Sequence, residues 1–354
     1  MRKNILATTG VGVAVLFCAS GAAVAAPVPR PTIVKVTTKW CSSCHEFDAK
    51  VFSRPAVRAL VDAKFKLVAV DAETAEGMKI VKRHNVVGYP TILFLNARDK
   101  EIDRYFTGPS DDPDLFVRFA EGVLRGEKAA ALRVAKGAKE DLRARFARGE
   151  WHAMRGDEKK ALAILRDVVK RDSKNEAGFA AQAYITLGKF FYVRGKKRFA
   201  EGAKVLERLR REFPVAKEAA QALFPLAYAY VRLGRENDAF KLLDDAIAAA
   251  PEKPGPYNTF AWFTLRTGLR RDEGVKRGEA GVARAPKDDG LWDTLAELYM
   301  AVERKGDAVR ACEKARELQP ATAYYREQCG RFERGELGFA TPALRKGKVA
   351  TPGW

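Results

Sequence analysis

Histidine is scarce in this chain, with three in 354 residues. Two of them, His84 and His152, stand alone with no ligand spacing around them, so they read as surface or packing residues and not as a metal centre. Long apolar runs are also missing. Beyond the N-terminus no stretch is long and apolar enough to span a bilayer. Acids are outnumbered, 45 Asp and Glu against 64 Lys and Arg, which leaves a formal net charge of +19. The excess favours acidic partners and anionic surfaces. No aromatic-interleaved basic motif accompanies it, however, and the basic residues are scattered over helix exteriors, so no nucleic-acid partner is expected. With 47% hydrophobic residues, disorder is excluded as well, and the length suggests two or three domains.

The first 26 residues contain no acid. Arg2 and Lys3 form a positive start, an apolar stretch runs from Ile5 to Phe17, and small residues lead to Val24-Ala25-Ala26-Pro27. This is the three-part pattern of a secretory signal peptide over residues 1–26, with cleavage expected after Ala25 or Ala26. An uncleaved anchor is the alternative. The bulky Phe17 argues against lipid attachment at Cys18. The mature chain is therefore expected in the periplasm or outside the cell, without a membrane span.

Four further cysteines remain, Cys41, Cys44, Cys312 and Cys329. In an oxidising compartment close pairs can be disulfides. Residues 27–126 show a mixed pattern in the order β-α-β-α-β-β-α. The β-branched run Thr32–Val36 reads as a strand and is followed by Trp40-Cys41-Ser42-Ser43-Cys44 at the start of a helix. Ser53 is placed to cap the next helix, with Pro55 in its first turn. Phe65–Asp71 is a second strand, and a helix through Met78 leads to Gly88-Tyr89-Pro90-Thr91. Two strands separated by the polar turn Asn96–Lys100 form a hairpin. A helix over 112–125 closes the unit.

From residue 137 strand signals vanish. Helical segments end at Pro251, Pro286 and Pro320, spaced 35 and 34 apart. The clearest unit is Trp292-x-x-Leu295-Ala296-x-x-Tyr299 followed by Ala308, Cys312 and Ala315. Leu223-x-x-Leu226-Ala227-x-x-Tyr230 and Tyr184-x-x-Leu187-Gly188-x-x-Phe191 follow the same plan. In a more degenerate unit Gly274, Gly278 and Gly281 stand where small residues pack. This period and pattern resemble tetratricopeptide (TPR) repeats. About five units are expected over 137–335, stacked into an all-α solenoid, and a basic, loosely ordered tail over 336–354. Trp262, Trp292, Tyr228 and Tyr230 follow helical spacing and read as core.

A C-x-x-C at a helix start, after a strand, is a working dithiol arrangement. Cys41 at the helix N-terminus has its thiolate stabilised by free N–H groups and is the attacker; Cys44, deeper in the helix, resolves the mixed disulfide. Trp40-Cys41-Ser42-Ser43-Cys44 with Gly88-Tyr89-Pro90-Thr91 resembles the thioredoxin superfamily, an α/β fold. Cys44-His45-Glu46-Phe47-Asp48, Val51-Phe52-Ser53 and Pro90-Thr91-Ile92-Leu93-Phe94 are most similar to the C-terminal domain of the DsbD family of thiol:disulfide interchange proteins. The resemblance implies a cis Pro90 facing the cysteines. It also implies a substrate-binding surface of Trp40, Tyr89, Pro90 and Thr91. Lys35 occupies a position where that family has a buried acid, whereas a second acid is kept as Asp48. The exchange of an anion for a cation is expected to favour the Cys41 thiolate.

The same residues admit other readings. Cys41-x-x-Cys44-His45 is also the c-type haem attachment pattern, and a metal site on Cys41, Cys44 and His45 is a third. The strand before the motif and Pro90-Thr91 after it favour the dithiol, which needs no cofactor beyond the Cys41–Cys44 disulfide itself. Cys312 and Cys329 fit either a structural disulfide or two buried thiols. The expected function is an exported thiol–disulfide oxidoreductase, in the reductase or isomerase direction. Its expected partners are client proteins, an upstream exchange partner, and a peptide or protein on the concave face of the repeats. The alternative is an interaction module whose redox domain is vestigial or sensory.

Overall fold

The computed structural model describes residues 30–106, 112–126 and 141–337. The leader expected over 1–26 and the tail from 338 onward lie outside the described residues.

Four strands make one sheet in the order β2-β1-β3-β4: β1 (Thr32–Thr37), β2 (Lys66–Asp71), β3 (Thr91–Leu95) and β4 (Glu101–Phe106). β1 runs parallel to β2 and antiparallel to β3, and β3 pairs antiparallel with β4. The parallel pair needs a helical crossover. It is supplied by α1 (Ser42–Phe47), which widens into a π-helical turn over Asp48–Phe52, and by α2 (Pro55–Lys64). α3 (Ala75–Arg83) and α4 (Pro113–Leu124) complete the unit. Its order is the one read from the sequence.

Strand alternation sorts the core into two layers. Ile33, Ile92 and Phe94 pack on one face with Phe47, Phe116 and Phe119, whereas Val34, Val36 and Leu93 pack on the other with Ala72 and Val86. The Phe116 ring lies 5.2–6.2 Å from the rings of Phe52, Tyr105, Phe47 and Phe94. Truncating such a side chain to Ala costs about 3–5 kcal/mol. One local expectation needs correction. Ser53 does not cap α2; its hydroxyl donates to the Ala49 carbonyl, and Arg54 holds the cap position before Pro55. The π-helical turn brings Ser53 back over its own preceding turn, so its oxygen faces a carbonyl instead of the free N–H groups of α2.

Among the described residues, five helix hairpins and a last helix follow. They are α5/α6 (Leu142–Met154, Glu158–Arg171) and α7 (Phe179–Ile185, widened over Thr186–Lys196) with α8 (Phe199–Glu212). Next come the short α9 (Lys217–Gln221) with α10/α11 (Leu223–Arg232, Glu236–Ala249), then α12/α13 (Pro254–Thr267, Arg271–Arg284). α14/α15 (Asp289–Ala301, Lys305–Leu318) and α16 (Ala323–Glu333) end the series. Side-chain caps start several of them: Asp141, Asp157 and Asp288 each accept a backbone N–H two or three residues on. The glycines of the degenerate repeat are contact positions. A Cβ at Gly274 would sit 1.8 Å from Thr264 Oγ1, so α12 and α13 close together only without it. Gly188 plays the same part against Leu206, at 2.5 Å. Tyr228 and Tyr230 are buried, as expected of core residues.

The helices pack directly on the sheet domain. The buried guanidinium of Arg104 in β4 donates to Glu101, to the carbonyls of His84 and Asn85, and to that of Met154 in α5. Arg155 bridges back to Glu101 and Asp103 at 3.0 and 3.1 Å. Its guanidinium lies 4.0 Å from the Trp151 ring centroid. Further along, Arg194 donates to the Val87 carbonyl at 2.9 Å, and the rings of His45 and Tyr324 meet at 5.0 Å. The array touches the sheet domain from α5 through α16.

Candidate active site

β1 ends at Thr37, and its neighbour β3 begins at Thr91, which is paired with Val36. The loop after β1 and the loop before β3 therefore emerge at the same end of the sheet. The first carries the C-x-x-C motif and the second carries Tyr89 and Pro90, joined by a cis peptide bond. Thr91 is buried and its hydroxyl donates to the Gly88 carbonyl at 2.7 Å, closing that loop.

Cys41 is the N-cap of α1, and its Sγ accepts the backbone N–H of Cys44 at 3.1 Å. The two sulfurs are bonded at 2.04 Å with Cα atoms 5.2 Å apart. Ser43 Oγ lies 3.4 Å from Cys41 Sγ. An N-cap sulfur within reach of an N–H is stabilised as thiolate once the bond is reduced. His45 does not converge with the cysteines; Nε2 is 3.3 Å from the Lys39 carbonyl and the ring faces Tyr324. Among the described residues no group of three His, Cys, Asp or Glu could hold a metal ion.

Lys35 lies on the β1 face that meets α1. Its ammonium reaches both oxygens of Asp48, at 2.6 and 2.7 Å, and lies 5.4 Å from the Phe52 ring centroid. The two positions singled out for tuning Cys41 thus form an ion pair with each other. Any effect on Cys41 is that of a pair and not of a lone cation.

Trp40 forms the floor beside Cys41. Its Nε1 donates to Glu73 at 2.7 Å, and its ring meets the edge of Tyr89 at 6.3 Å. Burial and the nearby Glu73 push the Tyr89 hydroxyl up to about 12, so it stays protonated. The repeats supply the opposite wall. Trp262 stands 5.9 Å from Trp40, and the Arg266 guanidinium lies 4.1 Å from the Trp40 ring centroid. Trp262 is half-buried at this cleft, a correction to its reading as core; the helix period marks an inward face but not which neighbour covers it. The cleft, about 370 Å³, is lined by Trp40, Cys41 and Tyr89 from one side and by Arg194, Asn258, Arg266 and Asp293 from the other. None of those four repeat residues was singled out in the sequence. Each lies in a helix whose pattern shows no catalytic constellation.

Cys312 and Cys329 form a second disulfide, S–S 2.02 Å, joining α15 to α16. Both are buried, and Tyr325 of α16 lines the same cleft.

Fold and paired sulfurs define the class: a thioredoxin-like disulfide domain joined to an array of helix hairpins. A family model described as thioredoxin-like matches residues 16–97. The thiol:disulfide interchange protein DsbD of Cronobacter sakazakii is 37% identical over 86 residues, which are 24% of this chain and 15% of that relative. The chain thus matches only a small part of such relatives. Among solved structures, the DsbH oxidoreductase aligns with 27% of this chain and 73% of its own, at 18% identity and a TM-score of 0.25. YrrB, described as a TPR protein with an unusual peptide-binding site, aligns with 56% of this chain and 96% of its own, at 20% identity and a TM-score of 0.32.

Proposed function

We propose that the protein is an exported thiol–disulfide oxidoreductase acting on client disulfides, with the repeats as a protein-binding scaffold. The observation that carries this is the bonded Cys41–Cys44 pair at a helix N-cap, beside the Tyr89–Pro90 loop and open to a cleft. In the reductive direction, the Cys41 thiolate attacks one sulfur of a client disulfide. The client S–S bond breaks, a Cys41–client bond forms, and the displaced client thiolate takes up a proton. The Cys44 thiol loses its proton and attacks Cys41 Sγ, which releases the second client thiolate to be protonated in turn and restores the Cys41–Cys44 bond. Two electrons pass to the client, and an upstream dithiol partner must return them. Trp40 and Tyr89, which line the cleft, form the platform on which the client chain lies, and the buried Pro90 and Thr91 hold the Tyr89 loop in place beneath it.

Export is supported by the three-part pattern of residues 1–26. No helix among the described residues is long and apolar enough to cross a membrane. The likeness to a DsbD segment supports the reductase or isomerase direction.

Insulin disulfide reduction, with Cys41→Ala and Cys44→Ala as controls, tests the activity; cysteine-independent turnover, or none, refutes it. The reduction potential tests direction: a value near roughly −270 mV marks a reductant and one near −120 mV an oxidant. The competing reading, an interaction module with a sensory disulfide, draws on one observation, that Cys41 is only 4% exposed. It requires absence of turnover with peptide binding retained.

A further inference from the structure

We infer that the cleft between the sheet domain and the repeats is a selective site for an extended, acidic, cysteine-bearing peptide segment. Its carboxylates would be held by Lys189, Arg194 and Arg266 while its sulfur meets Cys41. This deepens the oxidoreductase reading and rests on it.

Three observations carry the inference. The first is access. Cys41 and Cys44 are 4% and 3% exposed, and the Trp40 ring is flanked by Trp262 and Arg266 of the repeats. A folded protein face cannot lie flat on such a surface, but a single chain can enter the cleft. Its 370 Å³ adjoins a second chamber of about 250 Å³, and Arg194, Phe224, Asn258 and Trp262 line both. Each chamber is near the low end of the roughly 300–1,000 Å³ usual for small-ligand sites. Side by side they offer more room than a lone cysteine needs.

The second is charge. The walls of the second chamber carry Lys189 and Arg194 and no carboxylate, and Arg266 follows towards Cys41. Burial pulls the Lys189 ammonium down to about 7, and the neighbouring Arg194 adds to this; burial lowers Arg194 and Arg266 likewise, to about 10. Arg194, Arg266 and a partly protonated Lys189 make a basic environment that favours a ligand carboxylate, with Glu73 and Glu297 offsetting only the Arg266 end.

The third is unmet hydrogen bonding. Asn258 and Asp293 line the cleft; their Oδ1 atoms are out of solvent contact and have no hydrogen-bond partner, whereas Asp293 Oδ2 accepts from the Tyr324 hydroxyl at 3.4 Å. Asp293 is pushed up to about 8 by burial and by the nearby Glu297, so its carboxyl is neutral at pH 7. The Asn258 oxygen can accept and a protonated Asp293 carboxyl can donate as well as accept, so the pair suits the N–H and C=O groups of an extended chain. Buried polar atoms without partners are uncommon in a native protein, and two belong to residues that line one cleft.

The test uses the full-length protein and three disulfide substrates: an octapeptide with aspartates flanking its cysteine, the same peptide with asparagines, and glutathione disulfide. The expected result is a kcat/KM for the acidic peptide about tenfold or more above the neutral one, with glutathione disulfide the poorest of the three. Lys189→Gln and Arg266→Gln should each bring the acidic-to-neutral ratio close to one. A ratio near one in the unmodified protein, a ratio unchanged by Lys189→Gln, or glutathione disulfide as the best substrate overturns the inference. If Arg266→Gln does not fold, Lys189→Gln still decides. Anisotropy of a labelled acidic peptide with Ser in place of Cys separates the two readings. Charge-dependent binding without turnover defeats the oxidoreductase reading alone. Turnover without charge discrimination defeats this inference alone.

Discussion

Consider removal of the second disulfide. Cys312–Cys329 ties α15 to α16 across a sequence separation of 17. In the chain-entropy account, a closed loop of that length restricts the open state by about 3 kcal/mol. Every 1.4 kcal/mol is tenfold, so Cys312→Ala with Cys329→Ala should let α16 open on the order of 10² times more often. α16 is the last described helix of the array, where local opening is least opposed by neighbours. It also carries Tyr324, which stacks on His45, and Tyr325 in the cleft wall. Native-state hydrogen exchange resolves the effect: amides of Ala323–Glu333 should exchange faster by about that factor, with α5 to α8 unchanged. Uniform acceleration through all helices, or no change in α16, would refute the idea that the bond acts as a local clamp.

Three further outcomes are expected. Arg104→Met takes a donor from Glu101, which keeps Arg155, and from the carbonyls of His84, Asn85 and Met154, of which Met154 keeps the Asn85 amide; breaking such a buried pair should cost about 3–5 kcal/mol, read as a lower urea midpoint, and a loss under about 1 kcal/mol would contradict the role given to Arg104. Lys35→Asp converts an ion pair beside α1 into two acids and should raise the Cys41 thiolate pKa, followed by thiolate absorbance; an unchanged or lower value rejects the link. Asp293 binds its proton more tightly folded than unfolded, so its contribution to stability falls as pH rises from the ordinary carboxyl value near 3.8 towards about 8. Asp293→Asn should flatten the melting temperature across that window, and a slope equal to that of the unmodified protein would show that other groups set it.

Much of the fold was legible because each element carries its own local signal. The β-branched run before Cys41, the Asn96–Lys100 turn and the prolines spaced 35 and 34 apart are all local. The sulfur pair was legible for the same reason, since its spacing of three is set by one helical turn. The far wall of the cleft was not. Arg194, Asn258, Arg266 and Asp293 are separated from Cys41 by more than 150 residues. They meet it only because successive hairpins pack against the sheet domain, a tertiary arrangement that leaves no mark in any one repeat. Lys35 shows a subtler limit. Its identity was readable, but its partner Asp48 depended on how α1 widens after Phe47.

The seam around Arg104, Arg155 and Trp151 bears on how the molecule can be handled. These groups fasten β4 to α5 with hydrogen bonds that neither half can replace by itself. Excised fragments would each display charged and aromatic surface that belongs indoors, and a clipped chain would stay clasped. Potentials, rates and client preferences are therefore properties to be read from the intact polypeptide, because the redox pair and its surroundings are one instrument.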